Sequence, residues 1–337
     1  MVICLGIESS AHTFSVSLVK DNKILSESRD MYTRDDGGII PSEATLHHKK
    51  VRDKLLEQCL EEAKLELKDI NIIAFTSGPG LPPCLLTGME LAKNLSKKLK
   101  IPLVPVNHLI GHLEIGKLFS KAKDPVFILA TGANTQIIAY EKGKYRVFGE
   151  TLDTGIGNML DKFGRAIKLG FPAGPKIEQL AKQGKFIELP YVVKGMDLSF
   201  SGIITKAEQL YNKNVSKEDL CYSLQETMFS MLTEVTERAM AHTNKKEALL
   251  IGGVAANKRL IEMLDIMCKE RKAKSYFVPI KYSGDQAAMI AYTGILQYKA
   301  NKKYYDNLDI NEIDINPQWR VEQVDVNWLW MFRSFFK

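Results

Sequence analysis

The feature that most limits how this chain can fold is a pattern that begins twice. Residues 2–8 and 13–19 read as strands joined by "ESSAH", and the polar "KDNK" at 20–23 turns the chain into a third strand. At 125 the order returns in "PVFILATGANTQIIAYEKGKYRVF": strand, small polar turn, strand, "EKGK" turn, strand. At an offset of 122 the two stretches match Ser9 to Thr131, Ala11 to Ala133, Thr13 to Thr135, Val16 to Ile138 and Lys20 to Lys142. The pattern predicts a duplicated α/β domain with a cleft between its copies.

The intervening stretches fit that plan. Residues 43–66 carry a long helical pattern, "INIIAFTSG" is a buried strand ending in Gly, "CLLTGMELAKNLSKKLK" a helix and "IPLVPV" a strand. Later, "YSLQETMFSMLTEVTERAMAHT" is an amphipathic helix, "ALLIGGVAANKRLIEMLDIMCKE" strand, Gly turn and helix, and "SYFVPIKYSGDQAAMIAYTGILQYK" strand, loop and helix. Beyond Lys302 the periodicity decays into a polar tail. The expected division is 1–121, 122–284, and a helix and tail at 285–329 that return to the N-terminal half. A length of 337 residues suits two domains.

Composition excludes several classes. No run of about 18 apolar residues occurs, so no membrane span is expected. "MVICLGIESS" lacks a basic leader and reads as a first strand, not a signal peptide. Cys4, Cys59, Cys84, Cys221 and Cys268 are scattered without a C-x-x-C, which excludes a cysteine-only zinc cage and suits a reducing cytosol. A net charge of +6 is compatible with binding RNA phosphates and equally with plain solubility.

The chemistry-bearing residues gather in a few places. In "NHLIGHLE", Asn107 is placed to cap a helix on which His108 and His112 share one face. Two imidazoles so spaced can reach one ion, given a third ligand from elsewhere; the other reading is two polar residues that share a helix face. Leu109 stands where a zinc peptidase would need its general-base Glu, which argues against that class. The turns "ESSAH", with Ser9 and Ser10, and "TGANT" leave backbone N–H groups free and can cradle phosphate. "GGVAAN" at 252–257 is a third small-residue turn opening a helix. Asp285 begins a helix, as its N-cap or as the missing metal carboxylate. Asp161 falls on a helix, where a solvated face residue is the default.

Taken in order, "GIESSAHTFSVSLV", "GGIIPSEATLHH", "GPGLPPCLLTGMELAK", "NHLIGH", "TGANTQ", "ETLDTGIGNMLDKFGR", "PAGPKIEQLA", "KGMDLSFSGI", "GGVAANKRL" and "GDQAAMIA" resemble one family. It is the tRNA threonylcarbamoyladenosine synthase family of archaea and eukaryotes, the catalytic subunit of the KEOPS complex, and the likeness runs from Ile3 to about Leu329. The resemblance implies an actin, sugar-kinase and Hsp70-ATPase-like fold with two ribonuclease-H-like lobes around a cleft. It implies one iron or zinc ion on His108, His112 and Asp285, with no catalytic side chain separate from that site. It implies that Leu129, Ala130, Thr131, Gly132 and Ala133 contact the threonylcarbamoyl part of the substrate, and that Asp161, Gly174, Glu178 and Asn257 hold its adenosine part.

The implied reaction moves threonylcarbamoyl from threonylcarbamoyl-AMP to an adenosine beside the tRNA anticodon, in the cytoplasm. The implied partners are a small atypical protein kinase and a small dimerising subunit, docking on helices such as those at 43–66 and 84–99. Trp319, Trp328 and Trp330 are expected to pack on the core or on a partner. This chain departs from the family pattern at Leu129, where archaeal members carry a tyrosine that adds a metal contact, at Ala133 for Gly, in "GDQAAM" for "DNGAM" and in "PAGP" for "PGGP". An ATPase or small-molecule kinase of the same fold, or a non-catalytic scaffold subunit, are the competing readings.

Overall fold

Two five-stranded sheets built to one plan carry the fold. The computed structural model describes residues 1–34 and 38–329. The first sheet holds β1 (Ile3–Glu8), β2 (Thr13–Lys20) and β3 (Lys23–Met31), then, after helix α1 (Pro41–Ala63), β4 (Ile72–Gly78), and, after α2 (Pro82–Leu99), β5 (Leu103–Asn107). Helix α3 (His108–Ser120) leaves β5 without a loop. The second sheet holds β6 (Val126–Ala130), β7 (Thr135–Glu141) and β8 (Lys144–Glu150). A helical stretch follows: α4 (Ile156–Ala166), α5 (Gly174–Ala181), the small hairpin of β9 (Val193–Lys194) and β10 (Asp197–Leu198), α6 (Ser201–Tyr211) and α7 (Lys217–Thr243). The chain then returns to the sheet with β11 (Glu247–Ile251), α8 (Lys258–Glu270) and β12 (Lys274–Phe277), and ends in α9 (Ala287–Ala300) and α10 (Lys302–Asn307).

The strand orders are β3-β2-β1-β4-β5 and β8-β7-β6-β11-β12. In each, the first three strands pair antiparallel and the last two join parallel. This is the ribonuclease-H-like plan, twice. The sequence offset is preserved in space: Thr13 and Thr135 open the second strands, and Glu8 and Ala130 close the first. β1 and β4 are buried almost throughout, as strands covered on both faces must be.

The two halves exchange helices. α3 follows the first sheet but buries Leu109, Ile110 and Leu113 among Phe127, Leu129, Leu249 and Ile251 of the second. α9 follows the second sheet but lies on the first, with Ala288, Met289 and Ala291 against Cys4, Ala74 and Val106. Close approach there needs glycine: a Cβ on Gly6 would sit 2.4 Å from the Ala287 carbonyl oxygen, and one on Gly294 2.4 Å from the Ala74 Cβ. The two crossing helices therefore begin side by side between the sheets.

The segment beyond Lys302 is not a loose polar tail. The Asn316 amide donates to the Ser77 carbonyl at 2.7 Å, Asn107 Nδ2 to the Trp319 carbonyl at 3.0 Å, and the Val326 amide to the Gly143 carbonyl at 3.1 Å. Ile313 buries against the first sheet's core, and Val321, Val324, Val326 and Trp328 against the second's. Trp328 Nε1 also donates to buried Glu114 at 3.0 Å. These apolar residues form a strap with neither helical nor strand period, so periodicity could not find them. Trp319 is partly buried in the same cluster, and Trp330 lies outside the described residues.

Candidate metal centre

The site lies where α3 and α9 begin. Asn107 caps α3, its Oδ1 accepting from the amides of Leu109 at 3.0 Å and Ile110 at 3.1 Å. That cap fixes the first turn, and the turn sets His108 and His112 on one face with ring centroids 4.8 Å apart. Asp285 approaches from the other half of the chain. Its Oδ1 lies 3.2 Å from His112 Nε2 and 3.5 Å from His108 Nε2. It does not cap α9: Gln286 occupies that position, and the Ala287 amide donates to Ser15 Oγ of β2 at 2.9 Å. Another strand's hydroxyl thus meets the helix end and leaves the Asp285 carboxylate to the histidines.

The three donor groups fit one ion. One atom from each lies within 4.8 Å of the others. Tetrahedral donors at about 2.1 Å from a common ion stand roughly 3.4 Å apart, close to both observed His–Asp separations. His112 Nδ1 is buried and has no hydrogen-bond partner among the described residues.

One contributor was not legible as such in the sequence. Glu8, at the end of β1, is fully buried. Its Oε2 lies 3.0 Å from His108 Nδ1 and accepts from Thr76 Oγ1 at 2.5 Å, and its Oε1 accepts from the Ser10 amide at 2.6 Å. Ser10 Oγ also reaches His108 Nδ1, at 3.2 Å. A carboxylate on one imidazole nitrogen orients the other toward a metal. Burial works against the charge on Glu8, but His108 beside it outweighs that and lowers its carboxyl below the usual range. Burial likewise opposes protonation of His108, yet Glu8 and Asp285 together raise it to about 10. Burial also opposes the charge on Asp285, and the two imidazoles hold its carboxyl well below the usual range. A cation among these groups replaces the proton that otherwise balances two carboxylates. The available signal was a charged residue closing the apolar strand "ICLGIE".

The Ser9–Ser10 turn is closed: both serines are buried and the Ser10 amide is bound to Glu8. Its counterpart in the second half is open. Leu129 and Ala130 are buried within β6, Leu129 beside Leu109 and Leu113 of α3, whereas Gly132 and Ala133 are exposed. The turn is stapled from beneath by the start of α4. The amides of Gly155, Gly157 and Asn158 donate to the carbonyls of Ala133, Thr131 and Gly132 at 3.1–3.2 Å, and the Ile156 amide donates to Thr135 Oγ1 at 2.8 Å. Every early amide of α4 is satisfied this way, which leaves the turn's outward face to solvent.

Asp161, Gly174, Glu178 and Asn257 fall into two linked pairs. Asp161 Oδ1 accepts from the Ala173 amide at 2.7 Å, next to Gly174, and burial raises its carboxyl. Glu178 Oε1 accepts from the Lys258 amide at 2.9 Å, next to Asn257. Asn257 caps α8 through the amides of Arg259 and Leu260, and its Nδ2 donates to Gln225 Oε1 at 2.9 Å. A Cβ on Gly174 would meet open space. No hydrogen bond among the described residues links this group to the histidines.

Comparison with known proteins follows the same lines. The family model described as "TsaD: tRNA N6-adenosine threonylcarbamoyltransferase" matches residues 23–292. The chain is 50% identical over 329 residues to a tRNA N6-adenosine threonylcarbamoyltransferase of Thermococcus sibiricus, covering 97% of this chain and 100% of that one. It is 50% identical to a probable bifunctional tRNA threonylcarbamoyladenosine biosynthesis protein of Methanosarcina mazei, covering 96% of this chain but 59% of that longer one. Two solved structures share the fold at low identity. One is the ADPNP-bound activator of the 2-hydroxyisocaproyl-CoA dehydratase from Clostridium difficile, at TM-score 0.54 and 11% identity over 91% of this chain and all of that one. The other is HypF from T. kodakarensis, at TM-score 0.61 and 14% identity over 87% and 47%.

Proposed function

The chain belongs to the TsaD family of tRNA N6-adenosine threonylcarbamoyltransferases, and on that premise we propose that it moves the threonylcarbamoyl group of threonylcarbamoyl-AMP onto the exocyclic amine of the adenosine 3′ of the anticodon, in tRNAs reading codons that begin with A. The observation that carries this reading is the meeting of His108, His112 and Asp285, from opposite ends of the chain, where the crossing helices of the two lobes begin.

His108, His112 and Asp285 would hold one divalent iron or zinc ion. When bound, such an ion supplies Lewis acidity and a fixed point of orientation at the carbamoyl group. Glu8 and Ser10 hold His108 by its Nδ1 and so leave Nε2 to the site. The exposed amides of Gly132 and Ala133 bind the threonyl carboxylate and hydroxyl. Asp161, Gly174, Glu178 and Asn257 flank the adenosine and receive AMP as it leaves. Leu129 is apolar and buried, so the protein's ligand set is limited to two imidazoles and one carboxylate. Among the described residues no side chain stands ready as general base, and positioning and charge stabilisation do the catalytic work.

The division at 1–121, 122–284 and 285–329 belongs to the same proposal. So do a cytoplasmic setting and the KEOPS partners, the atypical kinase and the dimerising subunit. Leu46 on α1 and Leu86 on α2 are exposed on the outside of the first lobe and supply apolar ground for a docked subunit. No helix among the described residues is long and apolar enough to cross a membrane. The test is incubation of the protein and these partners with unmodified tRNA and threonylcarbamoyl-AMP, followed by mass analysis of the nucleosides. Modified adenosine is expected, and its loss together with bound metal in the His108→Ala, His112→Ala double variant. ATP turnover without tRNA, and no modified nucleoside, would favour the kinase reading; product from the metal-free variant would remove the metal from the mechanism.

A further inference from the structure

We infer that Phe171 is a stacking platform for an unpaired nucleotide of the tRNA anticodon loop, and that Lys162, Arg165, Lys168 and Lys176 around it hold the adjoining phosphates. The inference rests on the tRNA reading above and adds where the RNA touches the protein. Phe171 is 47% exposed, and what holds it outward is a tightly bonded connection. The Leu169 amide donates to the Gly164 carbonyl at 2.8 Å, Lys176 Nζ to the Leu169 carbonyl at 2.5 Å, and the Ala173 amide to Asp161 at 2.7 Å. Helix α4 and the start of α5 touch so closely that a Cβ on Gly164 would lie 2.1 Å from that of Ala173. An exposed aromatic ring on a loop this constrained is presented, not merely left over.

Its surroundings set it apart from the other exposed apolar side chains. From Lys162 to Lys176 the sequence has four cations and no acid, and all four are exposed. None of them forms an ion pair among the described residues. Several other cations on this lobe do pair with acids: Arg238 with Glu234, Arg259 with Glu226, Lys269 with Asp265 and Arg271 with Glu237. Asp161, just before this run, attracts Arg165 and leaves the run strongly basic. Exposed cations flanking an exposed aromatic ring along the chain fit single-stranded RNA, whose bases stack on aromatic faces while its phosphates seek cations. The platform also adjoins the proposed site. α4 starts at the 131–134 turn and ends at this loop, 11 residues or about 17 Å away, and α5 leads from the loop to Glu178 and α8. An anticodon loop with its adenosine at that turn can lay a flanking base on Phe171.

The test uses the full chain and an anticodon stem-loop RNA. In Phe171→Trp, fluorescence above the wild-type background should be quenched on RNA addition and unaffected by AMP. Phe171→Ala should bind the RNA about tenfold more weakly, with AMP affinity unchanged, and Phe171→Tyr should restore binding. Arg165→Gln and Lys168→Gln should each lessen the salt dependence of RNA binding by about one ion. Wild-type RNA affinity in Phe171→Ala overturns the inference, as does a loss of AMP binding in place of RNA binding. The two readings fail separately: quenching by RNA without any transfer would sink the transferase reading and leave this one standing.

Discussion

The first hairpins of the two lobes share a backbone and do opposite things with it. β1 closes on Glu8 and β6, at the equivalent place, on Ala130. Glu8 pulls its turn inward: the Ser10 amide and His108 gather on one buried carboxylate, and the Ser10 hydroxyl reaches the same His108 nitrogen. Ala130 exerts no such pull, so the 131–134 turn faces out and is held from below by the amides of α4. One turn supports His108, the residue proposed to ligate metal, and the other is an open set of donors. Duplication supplies the geometry; the charge at one strand end and the element packed beneath decide the chemistry.

The largest effect is expected where the open turn meets α4. A Cβ on Gly155 would lie 2.4 Å from the Gly132 carbonyl oxygen and 2.6 Å from the Ala133 carbonyl carbon, both backbone atoms that cannot swing aside. Gly155→Ala should cost about 3 kcal/mol of stability and take transfer to background, since the turn must move to admit it. Metal content should stay at the wild-type level, because the closed turn lies in the other lobe. Full transfer by this variant would show that the open turn is not a rigid cradle.

The closed turn is tested at Glu8. Glu8→Gln keeps the shape and removes the charge that orients His108. Metal affinity, followed by competition with a chelator, should fall about 10- to 100-fold. Nucleotide binding should not change. An unaltered affinity would reduce Glu8 to a packing residue and make the contrast between the turns incidental.

How much of this the sequence disclosed follows from the same contrast. The duplicated strand pattern, the Asn107 cap and the pairing of His108 with His112 were legible because each is local, set by spacing along the chain. Glu8 was hidden because a carboxylate at a strand end looks like the start of a polar turn until the helix that covers it is known. The strap from Ile313 to Trp328 was hidden because its apolar residues follow the surface they cover and have no period of their own. The same limit applies to Asp285, whose place beside a helix start left it open as a cap or as a metal carboxylate. Only the packing of β2 against α9 shows that Ser15 takes that task.

A smaller effect sharpens the comparison within the open turn. Thr135 Oγ1 accepts the Ile156 amide, the one early amide of α4 that meets a side chain. Thr135→Val leaves that buried donor unpaired and should lower the unfolding free energy by about 1–2 kcal/mol in urea titrations. Thr135→Ser should recover most of it. Equal stabilities for the two variants would mean that the backbone staples alone hold the turn.

The smallest effect belongs to the closed turn and depends on pH. His48 of α1 is buried, and its Nε2 lies 3.0 Å from the Ala11 carbonyl, so the N–H there donates and pins the far side of the turn. Burial, and then the neighbouring His47, push the imidazole down to about 4. The unfolded chain takes up a proton near 6.5, and the folded chain resists until about 4. The contribution is therefore complete above pH 6.5 and is lost as pH falls toward 4. Between pH 8 and 6 the loss should be about 1 kcal/mol or less. Thermal unfolding of wild type and His48→Gln at both values reads it as a difference of differences, which cancels the other titrating groups. The wild type should lose more stability than the variant over that interval. Parallel pH curves for the two proteins would show that the pin on Ala11 holds equally well with the imidazole charged, and that the inward pull of Glu8 closes the turn without it.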